Sequence, residues 1–69
     1  MKITIDYKLY NVRMNNRLTV RELEALSGVS KSMINSIENN KANPSVITMC
    51  QLAVALGVEP KDLYTYKVE

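Results

Sequence analysis

The chain has 69 residues, a formal net charge of +2, one cysteine and no histidine. That length is near the lower limit at which a single hydrophobic core holds a fold without staples; Cys50 has no partner for an internal disulfide, and a zinc site built from Cys and His is excluded. No apolar run approaches the roughly 20 residues that span a bilayer, and Met1 to Asp6 lacks the apolar stretch of a secretory signal, so a soluble chain in a reducing cytoplasm is expected.

Ile3 and Ile5 alternate with Lys2, Thr4 and Asp6, the period of a half-buried strand. Tyr64, Tyr66 and Val68 alternate in the same way with Thr65, Lys67 and Glu69, so the two ends can pair as a short antiparallel ribbon that leans on a helical core or on a second subunit. Asp6 is placed to cap a first helix over residues 7–15, with Leu9 and Val12 at helical spacing. Thr19 opens a second helix: Glu22, three residues on, completes a capping box, and Leu18 and Leu23 stand at the positions of a hydrophobic staple. Gly28 closes that helix, Ser30 caps a third, and Asn40 supplies the left-handed residue after Asn39. Asn43 and Pro44 read as a cap with proline at the first helical position of a fourth helix, which runs to Leu56 and stops at Gly57. Pro60 opens a final turn containing Leu63. No linker or repeat interrupts residues 1–69, which are expected to form one domain.

Residues 8–41 carry six cations against three anions, whereas the flanks carry three against four. A mildly basic centre suits a polyanion, and an ordinary solvated surface explains it equally well. The sharper feature is the segment 19–40, two short helices joined by the tight turn Ser27, Gly28, Val29. With Lys31 set at zero and about 100° per residue, Ser32, Asn35, Ser36 and Asn39 fall within about 140° of it, while Met33, Ile34 and Ile37 fall between about 200° and 300°. Asn and Ser are poor helix formers for a merely solvated face. Their donors and acceptors suit the major groove, where Asn can bridge adenine and Lys can reach guanine.

From Leu9 to Leu63 the sequence resembles the XRE/Cro-type helix-turn-helix family of bacterial and phage repressors. The landmarks are Leu18-Thr19, Ser27-Gly28-Val29-Ser30, Ile37-Glu38-Asn39, Asn43-Pro44-Ser45 and Ala55-Leu56-Gly57-Val58, in order and at the family's spacing. The resemblance implies a mostly α, lambda-repressor-like domain of four to five helices, with its helix-turn-helix unit at 19–40. It also implies sequence-specific binding of double-stranded DNA by a small transcriptional regulator, most simply a repressor. By the same resemblance, Lys31, Ser32, Asn35 and Ser36 stand where base edges are touched. Thr19, Asn39 and Lys41 stand where phosphates are held, and the amides that open the second helix can assist them.

Two departures from the family pattern bear on this. Val20 replaces a common Gln, so a phosphate clamp there is lost or taken over by Arg21. Glu24 replaces a small Ala and must point outward or pair with a cation. Arg13 and Glu38 form a separate pair implied by the resemblance. Glu38 lies at about 340° on the third helix, beside its apolar face; if buried, the pair fixes the angle of the recognition helix, and if exposed it contributes little.

A domain this small reads few base pairs, so a homodimer on a pseudo-palindrome is expected, with Ile47, Val54, Tyr64, Tyr66 and Val68 as candidate interface residues. Cys50, Met14, Met33, Met49 and Val46 are expected in the core. Without His, and with no room for a substrate-sized pocket, no enzyme, cofactor, metal site or small-molecule ligand is expected. The rival reading is an antitoxin or anti-repressor that uses the same scaffold to engage another protein.

Overall fold

Strands at the two ends bracket four helices in a computed structural model that describes residues 1–69. The order is β1 (Ile3–Tyr7), α1 (Leu9–Asn15), α2 (Val20–Ser27), α3 (Lys31–Glu38), α4 (Val46–Leu56), a 3-10 turn (Pro60–Leu63) and β2 (Tyr64–Val68). The strands pair antiparallel, Ile3 opposite Val68 through Tyr7 opposite Tyr64.

Local chemistry sets most helix ends. The Thr19 hydroxyl accepts the Glu22 N–H while the Glu22 carboxylate accepts the Thr19 N–H, completing the capping box. Gly28, at φ +77°, closes α2 in the left-handed region that favours glycine. Ser30 accepts the N–H of Met33 to open α3, and Asn40, at φ +56°, turns the chain away after it. Leu9, Leu23, Val29, Ile34, Ile37, Met49, Leu52, Ala53, Leu56 and Leu63 form one buried cluster. At roughly 1.5–3 kcal/mol for each large aliphatic side chain taken from water, this cluster is the main driving force for the fold. It draws on all four helices and the 3-10 turn, so none of them can move independently.

Three expectations need correction. Asp6 does not cap α1: ladder pairing with Thr65 draws Asp6 and Tyr7 into β1, and the helix begins at Leu9 behind Lys8, which makes no side-chain cap. Asn43 does not cap α4. Ser45 does, accepting the N–H of Thr48, while Asn43 accepts a hydrogen bond from the Tyr7 hydroxyl at 2.8 Å and Pro44 precedes the cap. Cys50, Val46 and Met14 are exposed rather than core. The buried stripe of α4 is Met49, Leu52, Ala53 and Leu56; Cys50 lies about 100° around the helix from Met49, and Val46 sits in the uncovered first turn.

Candidate nucleic-acid interface

The outward face of α3 is positioned by its back. Ile34 and Ile37 are fully buried, which fixes the helix in rotation, and Val29 is buried in the turn before it. Lys31, Ser32 and Asn35 are exposed and Ser36 is half-buried at the edge of the same face. None of these four side chains makes a hydrogen bond or ion pair within the chain. Lys31 and Asn35 enter the internal network only through backbone groups, the N–H of Lys31 and the carbonyl of Asn35.

Two contacts hold the ends of this helix. At its start the Glu24 carboxylate accepts the N–H of Lys31 at 2.9 Å, so the acidic residue of α2 neither projects into solvent nor pairs with a side-chain cation; it caps α3. A carboxylate there also complements the positive end of the helix. At the other end Arg13 meets Glu38 with Nε to Oε2 at 2.7 Å and Nη2 to Oε1 at 2.9 Å, and both side chains are only 8% exposed. The hydrogen bonds to Glu38 raise the Arg13 pKa, outweighing the opposing effect of desolvation, so the guanidinium stays charged. The Arg13 guanidinium also lies 5.3 Å from the Tyr10 ring centroid.

Around this face the other selected residues differ in freedom. Thr19 is exposed, and its hydroxyl oxygen accepts the Glu22 N–H while the hydroxyl sits beside the Glu22 carboxylate. In the same turn the N–H groups of Val20 and Arg21 have no partner, as expected for a helix start, although the neighbouring Glu22 carboxylate dilutes their positive potential. Burial of the Val20 side chain is partial and it packs against the core, while Arg21 is exposed. Asn39 folds back, its Nδ2 donating to the Asn35 carbonyl at 2.8 Å, so half of its donor capacity is spent locally. Lys41 is exposed and makes no ion pair; the chain's ion pairs are Arg13 with Glu38 and the surface pair Lys2 with Glu69.

Residues 9–63 match the family described as helix-turn-helix. The chain belongs to the XRE-type helix-turn-helix family. This makes it a DNA-binding regulator of transcription by kind. The helix-turn-helix chain is 38% identical over 65 residues to an uncharacterised HTH-type transcriptional regulator of Sinorhizobium fredii, covering 94% of this chain and 84% of that protein. It is 32% identical over 57 residues to another from Haemophilus influenzae, covering 83% of this chain and spanning 58% of the longer protein. Among solved structures it resembles the restriction-modification controller protein C.AhdI of Aeromonas hydrophila, with TM-score 0.76, 31% identity, and coverage of 80% and 83% of the two chains.

One residue flanking the helix-turn-helix face escaped the periodicity. Met33 is 36% exposed rather than core, beside Ser32 and Ser36. Its angle of about 200° put it at the boundary between faces, and that borderline position was the available signal. The interface candidates fall on two surfaces. Ile47, Cys50 and Val54 of α4 lie with Leu26 of α2 around a shallow groove, whereas Tyr64, Tyr66 and Val68 line one face of β2. No helix is long and apolar enough to cross a membrane.

Proposed function

We propose that the chain represses transcription by binding a pseudo-palindromic operator as a homodimer, each copy laying α3 in the major groove. The observation that carries this reading is the uncommitted polar face of α3. Lys31, Ser32 and Asn35 are held by a buried back, yet their side chains bond nothing in their own chain, an arrangement that leaves those donors and acceptors free for base edges. Ser36 completes the row, and Met33 beside it offers an apolar contact for a thymine methyl. Thr19, the free amides of Val20 and Arg21, the Arg21 side chain and Lys41 hold phosphates on either side, fixing register without reading sequence. Asn39, partly spent on Asn35, contributes less. Glu38 and Arg13 act indirectly, by setting the pitch of α3 on α1.

Selection of bound duplexes from a random DNA pool tests this. An enriched inverted repeat with half-sites about one duplex turn apart, bound with an affinity that falls steeply with salt, is the expected result. A pool that remains unenriched, with binding indifferent to salt, rejects it.

A further inference from the structure

The ribbon is the part of the chain that the helix-turn-helix match leaves out, since residues 1–8 and 64–69 lie beyond the matched span. An isolated two-stranded ribbon is marginal in water, and this one has an apolar face made of the pairs Ile3 with Val68, Ile5 with Tyr66 and Tyr7 with Tyr64. Only the base of that face is covered. Ile5, Tyr7 and Tyr64 close over a cleft of about 250 Å³ with Val46 and Met49, whereas Ile3, Tyr66 and Val68 are 51%, 64% and 58% exposed.

The hydrogen-bond phase says what is missing. Lys2 and Glu69 exchange both backbone bonds, at 3.1 and 2.7 Å. Bonded pairs alternate with non-bonded ones in an antiparallel ladder, so Thr4 with Lys67 and Asp6 with Thr65 are bonded, and the backbone groups of Tyr66 and Val68 point away from β1. The outer edge of β1 is guarded at its base, where Asn40 Oδ1 faces the Tyr7 N–H at 3.5 Å and Asn43 holds the Tyr7 hydroxyl. The outer edge of β2 has no such guard.

We propose that β2 is the dimer interface, a second copy of this chain adding its own β2 antiparallel to the open edge to form a four-stranded sheet with the β1 strands outermost. This rests on the homodimer reading above and assigns its contact. The self-complementarity of the edge argues for a second copy as the occupant. Outward-pointing residues must meet one another, and the register with Tyr66 opposite Tyr66 of the partner subunit engages Tyr64, Tyr66 and Val68 together. In that register Lys67 faces Thr65 of the partner subunit; sliding by two residues sets Lys67 against Lys67 of the partner subunit, a like-charge pair. The apolar rows of the two ribbons then join into one face. Pairing over one strand also places the two helical bodies at opposite ends of the sheet, as binding two separate half-sites requires. The groove on the α4 flank exposes apolar area but no unpaired backbone, so nothing on it specifies an occupant.

The test uses the full chain. In a Cys50→Ser background, Tyr66→Cys is expected to form an intermolecular disulfide on mild oxidation, because bonded antiparallel partners sit about 5.5 Å apart between Cα atoms. Lys67→Cys, diagonal to its counterpart and beyond about 7 Å, is not. Tyr66→Pro removes an N–H that the β1–β2 ladder does not use; it is expected to raise the dimer dissociation constant in sedimentation equilibrium at least tenfold while the helical circular dichroism spectrum is retained. Should Tyr66→Pro remain as dimeric as the parent and Ile47→Asp become monomeric, the interface is on α4: the β2 assignment fails and the homodimer reading survives. A parent chain that is monomeric at every concentration, free and on DNA, overturns both.

Discussion

Arg13 grips Glu38 in a two-pronged ion pair and gives its remaining terminal nitrogen to the Leu18 carbonyl at 2.8 Å. One guanidinium thus ties α1, the loop into α2 and the last turn of α3, and it does so almost out of water, with both side chains 8% exposed. Removing one partner leaves the other charge buried. Arg13→Ala or Glu38→Gln is expected to cost about 3–5 kcal/mol in urea unfolding. Arg13→Lys should recover little, because an ammonium cannot reproduce the fork. The pair Arg13→Met with Glu38→Leu should lose less than either single change. Single losses under about 1 kcal/mol would mean that the pair is solvated in solution.

Glu24 makes the second linkage to α3. Its carboxylate on the Lys31 N–H serves a donor that no helical carbonyl can reach. Glu24→Ala is expected to lower stability by about 0.5–2 kcal/mol, the usual range for a lost cap. Glu24→Gln should lose less, keeping the acceptor but not the charge. Thermal unfolding of the three proteins checks the order; an Ala variant as stable as the parent would show the contact to be incidental.

The contrast between these two linkages shows what was legible from residue order. Most helix boundaries, the Thr19 and Ser30 caps and the left-handed Gly28 and Asn40 follow from short-range chemistry, and the terminal ribbon is legible because both of its strands alternate apolar and polar residues. The errors arise where a residue had two local options and a distant partner chose. Asp6 is a competent cap until Thr65 pairs with it, and Asn43 is another until the Tyr7 hydroxyl, 36 residues away, takes its side-chain oxygen. Glu24 reads as a misplaced charge because its acceptor role depends on where the turn puts Lys31. On α4, where apolar residues occur nearly all round, no polar face marks which side is buried, so nothing in residue order tells the exposed Cys50 and Val46 from the buried Met49 and Ala53. The face of α3 was legible for the opposite reason, since its polar and apolar residues separate cleanly.

The capping box of α2 has a pH signature. Backbone and side-chain hydrogen bonds with Thr19 lower the Glu22 pKa below the ordinary value of 4.5. A carboxylate whose pKa is depressed by folding adds stability that is present above its unfolded value and is lost as pH falls through the folded one. The melting temperature of the parent should therefore exceed that of Glu22→Gln near neutral pH. The difference should shrink on the acid side of 4.5. A difference that stays constant through that window would mean the carboxylate charge is not part of the cap.

Asn35 and Lys41 separate reading from holding. Asn35 projects from the middle of the exposed face of α3 with its side-chain amide unspent, whereas Lys41 lies just beyond the helix as an unpaired cation. If the first reads a base, Asn35→Ala weakens the preferred duplex by about 1–3 kcal/mol and leaves random duplex nearly unaffected. If the second holds a phosphate, Lys41→Ala weakens both duplexes alike and reduces the slope of log K against log salt by about 0.9. Fluorescence anisotropy on the two duplexes across a salt series measures both quantities at once. Equal losses on both duplexes for Asn35→Ala would remove it from the reading face, because a contact that does not discriminate between sequences cannot be to a base edge.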